Sequence, residues 1–171
     1  STDYTVHSSY TLDSLKENIF GYMPHRVYNP EGKAISVLVK GKAKGIITGG
    51  NLSLLAGTLG SPYEIDTKNK IIFIEDVSEE PYRIDKNLTA LALAGKFNEA
   101  AGIVFGIFAD CENKDTSQES LTLEQIIEEV VLPCGKPVIT GFHAGHIYPQ
   151  PAIPMGAEAV LDTSKDYIEF I

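Results

Sequence analysis

Two short apolar runs are each followed by residues that can do acid–base chemistry. Residues 71–74 lead directly into Glu75 and Asp76, and a second run leads into a glycine-containing segment with His143 and His146. Side chains at the ends of strands can meet at one edge of a sheet, where Glu75 could orient the His146 imidazole and stabilise its protonated form. A carboxylate and an imidazole are two members of a nucleophilic triad. The third member, an activated Ser, Cys or Thr, is not evident in these residues.

Each of these residues also has a simpler interpretation. Glu75 and Asp76 can mark a solvated strand end, and His146 can be a surface residue of its loop. The neighbouring His143 can line a pocket or be solvated. Tyr82 and Arg83 could line the same cavity as Glu75, where Arg83 could bind a substrate carboxylate, although a structural ion pair is the simpler role for this arginine.

A Gly-Gly-Asn segment at residues 49–51 is the third candidate. Its backbone N–H groups precede an apolar helical pattern and could hold an anion such as a carboxylate, so Gly50 and Asn51 are candidates for the wall of a substrate pocket. The alternative is a tight turn followed by an N-cap. The segment lacks the Gly-Lys-Ser/Thr of a phosphate loop, and Ser53 lies in the helical pattern and not in a Gly-x-Ser-x-Gly elbow.

Hydrophobic periodicity and turn residues predict alternating helices and strands. Thr122 and Gln125 form a capping-box pattern, Asn51 is a suitable N-cap, and Pro81 suits a first helical turn. The strands at 35–39 and 43–48 are expected to be neighbours or a hairpin. The alternation predicts a mixed α/β domain whose helices cover a sheet. Helices are predicted at 11–20, after Asn51, from Pro81 to about Gly95 and after Thr122; strands at 35–39, 43–48, 71–74, 102–108, 137–140, 157–161 and 166–170; loops at 24–32, 110–120 and 145–156.

Composition excludes several classes of function. The 171 residues are 43% hydrophobic, which is sufficient for a core, and the net charge of −9 argues against a nucleic-acid partner. No apolar run is long enough to span a membrane. Cys111 and Cys134 are expected to be reduced, and the sequence offers no spacing of soft ligands for a metal. We expect neither a metal nor a cofactor.

Several motifs occur in an order that resembles the LD-carboxypeptidase family of serine peptidases. The resemblance extends from about Gly45 to Asp162, which is most of the chain. The motifs are Ile-Thr-Gly-Gly-Asn-Leu-Ser at 47–53, Leu-Gly-Ser-Pro-Tyr at 59–63, Phe-Ile-Glu-Asp at 73–76, Glu-Pro-Tyr-Arg-Ile-Asp at 80–85, Gly-His at 145–146 and Ile-Pro-Met-Gly-Ala at 153–157.

This resemblance implies a cytoplasmic, commonly dimeric enzyme that hydrolyses the L,D-peptide bond of murein tetrapeptides with a metal-free Ser–His–Glu triad. Glu75 and His146 match the family's glutamate and histidine. A sister branch, similar to the microcin C immunity carboxypeptidases, cleaves peptide–nucleotide conjugates. The implied fold of the matching domain is an α/β, three-layer β/β/α swivelling domain.

The family's nucleophile lies in an N-terminal domain, in a Gly-x-Ser-Asp context that does not occur here. We therefore expect residues 1–32 to be a linker and edge segment from the interdomain connection, and residues 33–171 to be the C-terminal domain. Its expected partners are the missing N-terminal domain, a small peptide substrate and a second copy of the enzyme, and the chain alone is expected to be inactive. Two other hypotheses remain: a non-catalytic domain that binds an acidic peptide tail, and a domain in which His146 carries a phosphoryl group.

Overall fold

The computed structural model describes residues 8–21, 25–114, 117 and 119–171. Helices and strands alternate along most of this range, as the sequence predicts. The helices are α1 (Ser9–Phe20), α2 (Leu52–Gly57), α3 (Pro81–Leu93), α4 (Lys96–Glu99) and α5 (Leu123–Val130), with a 3₁₀ turn at Leu132–Cys134. The strands are β1 (His25–Tyr28), β2 (Ser36–Val39), β3 (Lys42–Asn51), β4 (Ile71–Val77), β5 (Gly102–Ala109), β6 (Val138–Thr140), β7 (Glu158–Asp162) and β8 (Tyr167–Phe170).

The long strand β3 joins two differently built parts of one sheet. The strand order is β1-β8-β7-β3-β4-β5-β6-β2. Residues 42–46 of β3 pair antiparallel with β7, whereas residues 47–51 pair parallel with β4. Strands β4, β5 and β6 continue the parallel part, and β7, β8 and β1 continue the antiparallel part. The carboxyl ends of β3, β4 and β5 therefore lie at the same edge of the sheet.

The parallel part is buried on both faces, which explains why β4 is a continuous apolar run. Ile72 and Ile74 pack against α3 and α5, in a cluster that includes Leu88 and Ile126. Residues on the other face, among them Phe73, pack against the antiparallel strands. Helices, parallel strands and antiparallel strands thus form three layers around two apolar clusters. The predicted α/β class is confirmed.

Local capping signals locate the helices well. Asn51 caps α2 by accepting from the Leu54 N–H, and Pro81 lies in the first turn of α3. Thr122 and Gln125 form both hydrogen bonds of the capping box at the start of α5. These interactions are formed between residues three positions apart, so the sequence is sufficient to predict them.

Two predictions about the first 50 residues are wrong. Strands β2 and β3 are not neighbours, because β2 pairs with β6 at the far edge and three strands separate it from β3. The loop predicted at 24–32 contains strand β1, which pairs with β8; Pro24 itself lies outside the described residues. Both errors concern pairing with strands that follow about 100 residues later or more, which local patterns do not specify.

The N-terminal segment is attached to the sheet through α1 and β1. The Tyr10 hydroxyl donates to the carbonyl of Tyr28, and burial raises the pKa of Tyr10 to about 12. Strand β1 lies at one edge of the sheet, beside β8. In the described ranges, no helix combines the length and the apolar character needed to cross a membrane.

Candidate active site

Glu75 is the buried carboxylate of the site. Strand β4 continues to Val77, so Glu75 lies inside the strand and not after it, and it is only 5% exposed. Its Oε2 atom is 2.8 Å from Nδ1 of His146 and also accepts from the His146 backbone N–H at 3.1 Å. A buried carboxylate needs such donors to offset its desolvation. The interpretation of Glu75 as a solvated strand end is wrong.

His146 is the exposed member of the pair. Its side chain is 46% exposed, in contrast to the enclosed glutamate. When Nδ1–H donates to Glu75, the neutral imidazole has its lone pair on Nε2. This tautomer can accept a proton at Nε2, while the carboxylate stabilises the imidazolium that results. The arrangement has the geometry of a general base with its orienting acid.

Strand β5 holds the backbone that leads to His146. The β4–β5 register shifts between Ile74 and Asp76, next to Glu75. Beyond this bulge, the Ile107 N–H donates to the carbonyl of Ala144 at 2.9 Å, and Ile107 forms an isolated parallel bridge with Gly145. Bulges of this kind commonly re-aim chain segments at functional sites.

Gly145 permits the close approach of the two catalytic candidates. Its φ is +119°, a backbone conformation that residues with a Cβ rarely adopt. A Cβ at this position would lie 2.8 Å from Oε2 of Glu75 and 2.9 Å from its Cβ. Any larger residue would push Glu75 away or shift the loop, so glycine is required for the geometry of the pair.

A cleft of about 560 Å³ opens beside Glu75 and His146, within the size range of small-molecule sites. Its walls come from the ends of β3 and β4, from α1 and from the loop around His146. We call residues 141–152, which include His146, the histidine loop. The cleft is lined by Leu15, Asn18, Gly49, Gly50, Phe73, Glu75, Ala144, Gly145, His146, Gln150, Pro151, Ala152, Ile153, Pro154 and Met155.

The two predicted pocket residues at the end of β3 are placed differently. Gly50 lines the cleft, with φ of +143° and open space where a Cβ would be. Asn51 is not among the lining residues: its Oδ1 caps α2, and its Nδ2 donates to Asp76 at 2.6 Å. The turn-and-cap interpretation therefore describes the contacts of Asn51. A substrate-binding role for Gly50 or Asn51 stays a prediction.

Asp76, on the helix-facing side of β4, anchors the start of α2. It is 2% exposed, so the prediction of a solvated strand end is wrong for this residue also. Its oxygens accept from Asn51 Nδ2, from the Ser53 N–H and hydroxyl, and from the N–H of Val77. Asn87 of α3 donates to the Ser53 hydroxyl at 3.2 Å and extends the network. Asp76 is thus a structural carboxylate directly after the candidate catalytic one.

Replacing Asp76 with asparagine is expected to lower the free energy of unfolding by about 1–3 kcal/mol. The amide has one acceptor oxygen instead of two, so buried donors of Ser53 or Asn51 lose their partner. Urea unfolding followed by circular dichroism measures the change. Asp13→Asn is the control, because Asp13 is 65% exposed in a surface pair with Lys16 and should change stability by less than about 1 kcal/mol. Equal effects of the two substitutions would contradict the anchoring role.

The remaining sequence candidates lie outside the cleft. His143 is 5% exposed, with Nδ1 3.0 Å from the carbonyl of Pro149, so it is neither solvated nor a wall residue. Tyr82 and Arg83 line a separate depression. Arg83 donates to the Tyr82 hydroxyl at 2.9 Å and lies 3.8 Å from Glu79, which agrees with structural pairing.

The sequence analysis missed the contribution of α1 to the site. Leu15 and Asn18 line the cleft, although residues 1–32 are predicted to be a linker and edge segment. The sequence does contain a pattern that could have indicated this contribution. Thr11, Ser14 and Asn18 lie at positions i, i+3 and i+7, so they form a polar stripe on one face of the helix. Nothing local indicates what such a stripe contacts.

The chain is similar to known proteins over most of its length. Residues 44–161 match a family model described as the LD-carboxypeptidase C-terminal domain. A probable murein peptide carboxypeptidase of Bacillus subtilis (strain 168) is 46% identical over 138 residues, covering 81% of this chain and 43% of that protein. The chain spans about half the length of the curated relatives it matches.

Two solved structures share the fold. The muramoyltetrapeptide carboxypeptidase of Oxalobacter formigenes superposes with a TM-score of 0.79 at 24% identity, covering 95% of this chain and 54% of that one. The microcin C7 self-immunity protein MccF, in complex with aspartyl sulfamoyl adenosine, superposes with a TM-score of 0.68 at 25% identity, covering 81% and 40%.

Proposed function

Because this chain belongs to the LD-carboxypeptidase family through its C-terminal domain, we propose that it supplies the histidine and glutamate of a serine carboxypeptidase. The observation that carries the proposal is the 2.8 Å contact between Nδ1 of the half-exposed His146 and Oε2 of the buried Glu75. The serine would come from an N-terminal domain, consistent with relatives about twice as long as this chain.

In the proposed mechanism, a serine hydroxyl approaches Nε2 of His146 across the cleft. His146 accepts the serine proton during attack on the scissile carbonyl and later donates it to the leaving amine. Glu75 keeps the proton on Nδ1 and stabilises the imidazolium without being protonated itself. Acid–base catalysis of this kind contributes about 10²–10⁴-fold.

The proposed substrate is a murein tetrapeptide, from which hydrolysis of the L,D-peptide bond releases the terminal D-alanine. The name of the Bacillus subtilis relative, a probable murein peptide carboxypeptidase, supports this substrate class. Gly50 and Asn51 are proposed to contribute to the substrate pocket, Gly50 as part of its wall. We also propose that the full-length enzyme is cytoplasmic and forms a homodimer.

A peptide–nucleotide conjugate is the second candidate substrate. It is favoured by the structural likeness to MccF, which was solved with aspartyl sulfamoyl adenosine. Both substrates are cleaved at an acyl carbon, and the same Glu75–His146 pair would serve either reaction. The two candidates therefore differ in the pocket walls and not in the catalytic groups.

The test is hydrolysis by the full-length enzyme of a murein tetrapeptide and of an aminoacyl sulfamoyl adenosine, with products identified by mass spectrometry. We expect D-alanine release from the tetrapeptide, and no release by the chain of 171 residues alone, because the nucleophilic serine is proposed to lie in the N-terminal domain. Turnover of the nucleotide conjugate alone would favour the second candidate. Activity of the isolated, purified chain would contradict the division of the triad. Phosphorylation of His146 by a phosphoryl donor, or binding of an acidic peptide without hydrolysis, would favour the two non-hydrolytic hypotheses.

A further inference from the structure

The histidine loop has almost no regular structure, so its backbone groups must find partners elsewhere. Strand β5 pairs with one side of the loop: the Phe142 N–H donates to the Phe105 carbonyl, and the Ala144 carbonyl accepts from the Ile107 N–H. On the opposite side of the loop, the Asn29 side chain makes two hydrogen bonds of 2.8 Å. Its Nδ2 donates to the Gly141 carbonyl, and its Oδ1 accepts from the His143 N–H. A single amide side chain thus takes the place that a neighbouring strand would have.

Helix α1 holds the second half of the loop. Thr11 Oγ1 accepts from the Gln150 N–H at 3.2 Å. Ser14 Oγ accepts from the Ala152 N–H at 3.0 Å, and Asn18 Nδ2 donates to the Ala152 carbonyl at 2.9 Å. In every contact the side chain belongs to the N-terminal segment and the loop contributes only backbone. The identity of the α1 residues, and not of the loop residues, therefore determines these bonds.

The contact between Thr11 and Gln150 is linked by further hydrogen bonds to Glu75 and His146. Gln150, held by Thr11, accepts at its Oε1 from the Gly145 N–H at 3.3 Å. Gly145 precedes His146, whose backbone N–H and ring Nδ1 both reach Glu75. Thr11 is 5% exposed, so its hydroxyl has little access to competing water. The series Thr11–Gln150–Gly145–His146 joins the buried face of α1 to the imidazole.

We propose that Thr11 is a positioning residue for His146, and that the polar face of α1 fixes the histidine loop at the distance from β4 that the Glu75 contact requires. The inference deepens the proposed function and rests on it for its catalytic meaning. It gives the N-terminal segment a role in the active site beyond that of a connection.

The experiment is long-range ¹H–¹⁵N NMR of the His146 ring in the chain of 171 residues, comparing Thr11→Val with Thr11→Ser. Valine keeps the shape of threonine and lacks the acceptor, whereas serine keeps the hydroxyl. We expect the wild-type chain and Thr11→Ser to show the Nδ1–H tautomer, and Thr11→Val to show a mixture with Nε2–H. Thr58→Val is the matched control, because the Thr58 hydroxyl donates to the Leu55 carbonyl within its own turn and, among the residues that the structure describes, makes no contact with the histidine loop.

Unchanged His146 signals in a folded Thr11→Val chain would overturn the proposal. If Thr11→Val does not fold, Gln150→Met decides the matter from the loop side, since it removes the acceptor for the Gly145 N–H. A tautomer mixture in Gln150→Met supports the series of contacts, and a wild-type spectrum refutes it.

An activity measurement separates this inference from the proposed function. In the full-length enzyme, Thr11→Val is expected to lower kcat about tenfold and to change KM less than twofold, because small misplacement of a reacting group slows the chemical step. Unchanged kcat would refute the positioning role. If the wild-type enzyme does not hydrolyse either substrate, the proposed function fails, whereas the NMR result on the tautomer stands independently.

Discussion

Replacing His146 with alanine in the full-length enzyme is expected to lower kcat by about 10⁵–10⁶-fold, since members of a triad act as one unit. Glu75→Gln is expected to lower kcat by about 10⁴-fold. Glutamine can donate to Nδ1, which favours the tautomer with its proton on Nε2 and removes the base from the side of the serine. The measurement is steady-state release of D-alanine from a murein tetrapeptide, with thermal unfolding to verify that each variant is folded.

Glu128→Gln is the matched control for the carboxylate. Glu128 lies on the exposed face of α5 and is not among the residues that line the cleft, so its substitution should leave kcat within a factor of two. The double variant Glu75→Gln/His146→Ala should be no slower than His146→Ala alone, because the glutamate acts through the histidine. A folded single variant with kcat within tenfold of wild type would contradict the proposed roles.

Gly49→Ala is expected to lower the free energy of unfolding by more than about 4 kcal/mol, which is exceptional for one methyl group. Gly49 pairs with Phe73 where β3 meets β4. A Cβ on Gly49 would lie 1.9 Å from the Phe73 carbonyl oxygen and 2.8 Å from its carbon. Because these are backbone atoms of a central strand, the clash can be relieved only by separating β3 from β4 at the edge that carries Glu75.

Gly50→Ala is the control within the same motif. Its φ of +143° resembles the +132° of Gly49, so both substitutions carry similar backbone strain, but a Cβ on Gly50 meets no atom within 4 Å. We expect Gly50→Ala to lower the unfolding free energy by about 1–3 kcal/mol. Urea unfolding of both variants measures the difference. Equal losses would show that backbone strain, and not the contact with Phe73, explains the glycine at position 49.

The contact between Glu75 and His146 was predictable from the sequence, but the environment of the two residues was not. The apolar run before Glu75 indicates a buried strand, and the motif order indicates the family that the comparison confirms. The predicted strand ended at Ile74, whereas β4 continues to Val77 and encloses both carboxylates. Polar residues at the end of an apolar run look like a surface boundary. Their burial is favourable because His146 supplies donors to Glu75, and because Asn51, Ser53 and Val77 supply donors to Asp76.

The N-terminal segment shows the same limit of local sequence patterns. Its helix was predicted, since Leu12, Leu15 and Ile19 have helical spacing, and α1 is found at Ser9–Phe20. Its contribution to the cleft was not predicted. Thr11 and its loop partner Gln150 are 139 positions apart, and neither residue carries a local signal of the other.

The amino-acid sequence by itself determined helices α1, α2, α3 and α5, most strands, the α/β class and the identity of the two candidate catalytic residues, but not the short helix α4. These depend on periodicity, capping and motif order, which act over a few residues or are shared with a family. The tertiary structure alone decided that β2 lies beside β6, that Asp76 is structural, and that α1 forms a wall of the cleft. Those features depend on hydrogen bonds and contacts between groups that are far apart in the sequence. Such groups come together only when the chain folds, so local patterns do not specify them.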